Sequence, residues 1–114
     1  MKHQIKLLLG LSAATLFLSA TATAAVNADD AEYLARSNNC FKCHRVSGPK
    51  KDGPDYKEVA AKYKGKPDAE AKLIHHITSG EMAKFPDGHS EAHKIIKTKD
   101  MNQIKNLVDW ILAQ

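Results

Sequence analysis

The stretch "NNCFKCHRVSG", residues 38–48, holds both cysteines of the chain, Cys40 and Cys43, with His44 directly after the second. Two thiols and an imidazole so close together suit four kinds of chemistry. A disulfide between them closes a loop of only a few residues and constrains the unfolded chain little. A thioredoxin-like dithiol needs its C-x-x-C beside a βαβ unit, and no strand pattern is visible. Zinc could take Cys40 and Cys43 with His89 and His93, the ligand types of a Cys₂His₂ site. However, some 45 residues separate the two pairs, where a compact finger has about 12 to 15, and His44 is left without a role.

Covalent haem uses every part of the motif. Two thiols two residues apart can add to the two vinyl groups on one edge of a porphyrin, and the residue that follows then lies beneath the iron, where an imidazole can ligate it. C-x-x-C-H is that arrangement, so Cys40 and Cys43 are the expected attachment points of one haem c and His44 the expected proximal iron ligand.

The surrounding chain agrees with an exported protein. Lys2 and Lys6 precede and flank an apolar run from Ile5 to Phe17, and "SATATAA" supplies small residues for an A-x-A cleavage site. Residues 1–25 read as a signal peptide cleaved near Ala24 or Ala25, and the apolar stretch stops short of the ~20 residues a membrane span needs. Export points to the periplasm and sets nucleic acid aside as a partner. The remaining 26–114 make one small domain, marginal without a cofactor or cross-link to complete its core. Removing the two leader lysines takes the formal charge from +4 to +2. Lys50, Lys51, Lys57, Lys62, Lys64 and Lys66 crowd one stretch, a solvated face or a surface that steers an acidic protein partner.

The elements that must position the motif are helices. Asp29 to about Asn38, capped by Asn27 or Asp29, carries an apolar stripe of Ala31, Leu34 and Ala35 and delivers Cys40 at its end. A second helix starts at "GPDYKE", with Asp55 and Glu58 in capping-box register, and runs through Val59, Ala60 and Tyr63 to stop at Gly65 and Pro67. A third, with Pro67 in its first turn, carries Leu73, Ile74 and Ile77 and ends at Gly80. The last opens on Asp100 and Gln103 and places Ile104, Leu107, Val108 and Ile111 on one face, widened by Trp110 and Leu112. Between the last two lies "GEMAKFPDGHSEAHKIIKTK", residues 80–99, with no regular period. Long structureless loops in small domains are usually functional or disordered, and this one contains Met82, His89 and His93, all potential metal ligands.

"CFKCH", "GPDYKEVAAKYKGK", "LIHHITSG" and the closing "NLVDWILAQ", in that order, make the chain similar to the class I cytochromes c, specifically the short periplasmic bacterial members. The resemblance covers essentially the whole chain after the leader. It implies an all-α fold of about four helices around one covalently bound haem, with the N- and C-terminal helices crossing, Tyr33 and Leu34 meeting Leu107 and Trp110 there, and the carbonyl of Pro54 accepting the Nδ1 hydrogen of His44.

The sixth iron ligand departs from the family pattern. Most members place a methionine in a proline-rich turn before the last helix, and residues 80–99 contain no such turn. Counted back from Trp110 the methionine position falls at Lys94, beside His93; counted forward from Gly80 it falls at Ser90, beside His89. His93 is the expected distal ligand and His89 the alternative, followed by Met82 and then Met101, whose place in the first turn of the last helix reads as a soft core filler. His75 and His76 are expected to face solvent. Tyr56 and Tyr63 read as packing residues whose hydroxyls find a haem propionate or water.

The expected function is single-electron transfer between redox partner proteins, without a transmembrane anchor or an independent catalytic site. Two alternatives stand beside it. One is a gas or redox sensor with a displaceable distal histidine; the other is the haem subunit of a larger oxidoreductase.

Overall fold

A computed structural model describes residues 25–114; the expected leader lies outside the described residues apart from Ala25. The polypeptide forms α1 (Ala28–Ser37), a single 3₁₀ turn (Cys40–Lys42), α2 (Tyr56–Tyr63), α3 (Ala69–Thr78), a hairpin of β1 (Met82–Lys84) and β2 (Ser90–Ala92), and α4 (Met101–Leu112). Among the described residues no helix is long and apolar enough to cross a membrane.

Short polar side chains set the helix starts. Asn27 accepts from the backbone N–H of Asp30, Asp55 from that of Glu58 at 2.7 Å, and Asp100 from that of Asn102 at 2.9 Å. Each satisfies an N–H that the first turn leaves without a partner. Pro67 lies just before α3 rather than within its first turn, and Asp68 occupies the cap position.

The core sits between α4 and the other helices. Ile104, Leu107, Val108, Trp110 and Ile111 are buried on one face of α4 and pack with Ala31, Ala35, Tyr56, Leu73 and Ile96. On α1, which packs against α4, the fully buried residues are alanines: Ala31 and Ala35 are both fully buried, whereas Tyr33 is 73% exposed. This corrects the expectation that Tyr33 packs at the crossing. Small side chains let the helix backbones approach closely, and a ring at position 33 points off that face, two residues from Ala31 and Ala35 alike. Leu34 is half-buried against the core. A reciprocal pair fixes the crossing: Asn27 N–H donates to Asn106 Oδ1 at 2.8 Å, and Asn106 Nδ2 donates to the Asn27 carbonyl at 2.9 Å.

Residues 80–99 are more ordered than their sequence suggests. β1 and β2 pair antiparallel with Met82 opposite Ala92, Ala83 opposite Glu91 and Lys84 opposite Ser90. The connecting "FPDGH" closes on itself, Phe85 N–H donating to His89 O at 2.8 Å and Gly88 N–H to Phe85 O at 3.0 Å. Three-residue strands are too short to show an alternating pattern, but Pro-Asp-Gly is turn chemistry that the sequence did carry. Gly80 makes the exit from α3, in the left-handed region at φ 70° with the Ile95 side chain against it.

Beyond the hairpin, two backbone–backbone bonds and one to a side chain hold the returning chain. His93 N–H donates to Glu81 O at 2.8 Å and Ile96 N–H to Ile77 O at 2.9 Å. Lys97 N–H donates to Oδ1 of Asn38 at 2.9 Å, while Asn38 Nδ2 donates to Leu34 O at 2.9 Å. Asn38 is the buried polar residue of the core, and it joins the end of α1 to the segment after His93.

A haem crevice with three inward histidines

The chain between α1 and α2 wraps back on itself to build one wall of a crevice. Left-handed Asn39 (φ 59°) ends α1 and turns the backbone into the 3₁₀ segment carrying Cys40. His44 N–H donates to Cys40 O at 3.0 Å and Gly53 N–H to Cys43 O at 2.8 Å. Lys51 Nζ donates to Phe41 O at 2.6 Å. The result presents Cys40, Cys43 and His44 together to a crevice of about 1140 Å³. Ordinary small-molecule pockets run to about 1,000 Å³, so the space suits a macrocycle. Leu73, Ile77, Ile96, Leu107 and Val108 line it with apolar surface.

Cys40 and Cys43 are both half-buried and are not joined to each other. Burial pushes both the Cys40 thiol and the neighbouring Tyr56 hydroxyl up. The Tyr56 ring is core, edge-on to Trp110 at 5.8 Å and stacked on His44 at 5.5 Å, as the packing reading expects. Tyr63 is half-buried, with Lys62 and Lys66 over its ring.

Nδ1 of His44 lies 2.7 Å from the Pro54 carbonyl oxygen, so the nitrogen carries the hydrogen and donates it, leaving Nε2 as a lone-pair donor. Burial lowers the His44 pKa below the ordinary histidine value, with the Pro54 hydrogen bond acting in the opposite sense. Gly53 is as important to the ring as Pro54. A Cβ on Gly53 would stand 2.4 Å from Cε1 and 2.7 Å from Nδ1 of His44, so only glycine lets this backbone cross the imidazole face.

His93 comes from the opposite side. Its ring centroid is 6.2 Å from that of His44, with the planes inclined at 47°. Its Nδ1 lies 3.0 Å from Lys94 O, and burial lowers its pKa too. His89 sits at the hairpin turn outside the crevice lining. Asp87 and Glu91 engage both its ring nitrogens, and its ring stacks on Phe85 at 4.5 Å. Met82 reaches the crevice rim but is 65% exposed. Met101 is 47% exposed at the start of α4, away from the crevice. It is therefore not a core filler: it stands in the first turn of α4, at the end of the helix where the buried stripe that begins at Ile104 has not yet started.

His76 also differs from expectation. His75 is solvent-exposed, but His76 is half-buried on the crevice wall, its ring centroid 4.0 Å from that of His93. The helical stripe of Leu73 and Ile77 lies on this side of α3, and His76 is carried in with it. Among the described residues no group of three or more His, Cys, Asp or Glu side chains is arranged to hold a metal ion. The zinc constellation of Cys40, Cys43, His89 and His93 is thus not assembled.

A helical domain that wraps one apolar crevice with a C-x-x-C-H wall is the design of a single-haem electron carrier. The cytochrome c family model matches residues 28–114, and the chain belongs to the cytochrome c family, as a class I, single-haem member. It is 32% identical over 87 residues to cytochrome c-551 of Pseudomonas aeruginosa, covering 76% of this chain and 79% of that protein. It is 38% identical over 80 residues to cytochrome c-552 of Nitrosomonas europaea, covering 70% and 74%. Among solved structures, the class 1 cytochrome MtoD from Sideroxydans lithotrophicus ES-1 superposes with a TM-score of 0.74 at 67% identity, covering 78% of this chain and 97% of that one. Membership brings one covalently attached haem c, and the two cysteines stand at the C-x-x-C spacing it requires.

Proposed function

We propose that this cytochrome is a periplasmic single-electron carrier whose haem is attached through Cys40 and Cys43 and whose iron is held by two histidines, His44 and His93. Residues 1–25 act as its export leader and 26–114 as the carrier domain. The observation that carries the ligand assignment is the spacing of the two rings. A metal–imidazole bond is about 2.0 Å and the bonding nitrogen lies about 1.2 Å from its ring centre, so two imidazoles on opposite sides of one ion sit about 6.4 Å apart. The observed 6.2 Å agrees, and both rings have Nδ1 turned to a carbonyl and Nε2 free. His89 lacks a free ring nitrogen, which argues against it as the distal ligand.

Bound haem supplies an iron that takes up and gives back one electron. The chain's residues hold that iron still: Pro54 and Gly53 set the His44 ring, the backbone bonds around His93 set the other, and apolar side chains keep water from the crevice. Fixed ligation on both sides suits electron transfer because little moves when the charge changes. Lys42, Lys50, Lys62, Lys84 and Lys94 stand along the crevice lining, which supports an acidic docking face on the partner; Lys72 is also there but is paired with Asp68 at 2.8 Å.

Visible and near-infrared spectra of the purified protein in both oxidation states, with and without carbon monoxide, test this reading. Low-spin iron in both states that ignores the gas supports it. A rapid shift on adding carbon monoxide to the reduced form identifies a gas sensor instead. Loss of acid-stable haem in the double variant Cys40→Ala, Cys43→Ala checks the attachment; haem still covalently held refutes it.

A further inference from the structure

We propose that His76 is a second distal-side ligand of the haem iron, taking the coordination position when His93 leaves it. This rests on His93 being the resident ligand. Four histidines line the crevice, and besides the exposed His75 three of them have Nδ1 already used: His44 on Pro54 O at 2.7 Å, His93 on Lys94 O at 3.0 Å, and His76 on Glu81 Oε1 at 2.6 Å. Each leaves Nε2 as the free lone pair. Of the three, only His76 is backed by a carboxylate, the arrangement that commonly stands behind metal-binding histidines and increases their donor strength.

The two distal-side rings are also anchored to the same residue. Glu81 accepts the His93 N–H on its backbone carbonyl at 2.8 Å and holds His76 through its side chain. His76 belongs to the last turn of α3, whereas His93 leaves the end of a hairpin whose strands are largely exposed. Short exposed strands open more readily than a packed helix. When the hairpin opens, His93 is carried away while His76, one ring's thickness distant, stays on the wall. The exchange breaks one iron–nitrogen bond and forms another. Both donors are neutral imidazoles, so no electron or proton is transferred. The other two histidines of this region do not compete: His75 is exposed, and His89 has both ring nitrogens engaged outside the crevice.

The test compares the holoprotein with His93→Ala, His76→Ala and the double variant, read by electron paramagnetic resonance of the ferric form, by visible spectra and by carbon monoxide binding to the ferrous form. The proposal expects low-spin iron in both single variants, with an altered resonance in His93→Ala, and loss of the low-spin signal with carbon monoxide binding only in the double variant. High-spin iron in His93→Ala overturns it and leaves the His93 assignment standing. If His93→Ala changes nothing while His76→Ala opens the iron, His93 is not the resident ligand and both readings fall; a double variant that stays low-spin overturns the His76 proposal, because a group other than His76 then takes the position. His93→Leu, which keeps bulk at the position, gives the same readout should His93→Ala not fold.

Discussion

His44 and His93 face one another across the crevice with ring centroids 6.2 Å apart, and each turns its Nδ1 to a backbone carbonyl. One comes from the chain directly after the cysteines and the other from the end of a hairpin nearly fifty residues later. Neither neighbour in sequence nor a shared element joins them. Their juxtaposition is a product of Asn38, Glu81 and Ile77, which stitch the later segment onto the ends of α1 and α3.

The first prediction concerns potential. A thioether favours reduced iron relative to a second imidazole, and axial ligation is among the factors that move haem potentials over about 0.8 V. This protein is expected to lie well below a His/Met cytochrome of similar fold and exposure, without the near-infrared sulfur-to-iron band of the oxidised state. His93→Met should raise the potential and produce that band. Voltammetry of the two proteins measures the shift, and an unchanged potential contradicts His93 ligation.

Gly53→Ala places a methyl group inside the van der Waals envelope of the His44 ring, 2.4 Å from Cε1. Because Pro54 and the cysteines fix that ring, it cannot retreat freely. The variant should lose about 1–3 kcal/mol of stability, as overpacking does, and show a perturbed low-spin spectrum. Denaturant unfolding together with the Soret band checks both, and a wild-type midpoint would mean the loop gives way without cost.

Asn38→Ala removes one donor and one acceptor at once. The Lys97 N–H and the Leu34 carbonyl lose a partner, and an unmade hydrogen bond at a buried site costs about 1–3 kcal/mol. The larger effect should be on the distal segment, which loses its tie to α1, so imidazole or cyanide should displace the distal ligand faster than in the parent. Asn38→Asp keeps the acceptor for Lys97 and should restore most of that rate.

His89 titrates apart from the haem. Its hydrogen bonds, to Asp87 first and to Glu91 second, raise its pKa above the ordinary value of 6.5. A raised histidine pKa means the folded chain binds the proton more tightly than the unfolded one, so the interaction favours folding below pH 6.5 and fades as pH climbs through the raised value. Proton NMR should find the His89 midpoint above 6.5, and Asp87→Asn should bring it down. A midpoint at or below the free value would show that the turn is not held by this pair.

Much of this molecule is local in origin, and local features are readable from sequence. Covalent chemistry demands Cys40, Cys43 and His44 at fixed spacing, so the motif announces haem wherever it lies in the fold. Caps do the same for helices: Asn27, Asp55 and Asp100 each bond an N–H two or three residues on, and the i, i+3, i+4 pattern of Ile104, Leu107 and Val108 declares the buried face of α4. The β-hairpin was hidden because its strands are three residues long, although its Pro-Asp-Gly turn was in view.

The rest depends on contacts between residues far apart in the chain. Tyr33 looked like part of the helix crossing, yet it is exposed, and Ala31 and Ala35 are the fully buried residues of α1, with Leu34 packed against the core beside them. Met101 looked like filler and faces out, and His76 looked exposed and lines the crevice. Gly53 looked like one more loop glycine until the His44 ring was found against it. In each case side-chain type limits what a residue can do, while its direction is set by which helix or loop packs opposite. C-x-x-C-H pointed to the cofactor, and the likeness of four ordered stretches to the class I cytochromes c pointed to the family. Which imidazoles meet across the crevice was decided only by the tertiary packing of α1, α3 and the hairpin, since no periodicity relates His44, His76 and His93 along the chain.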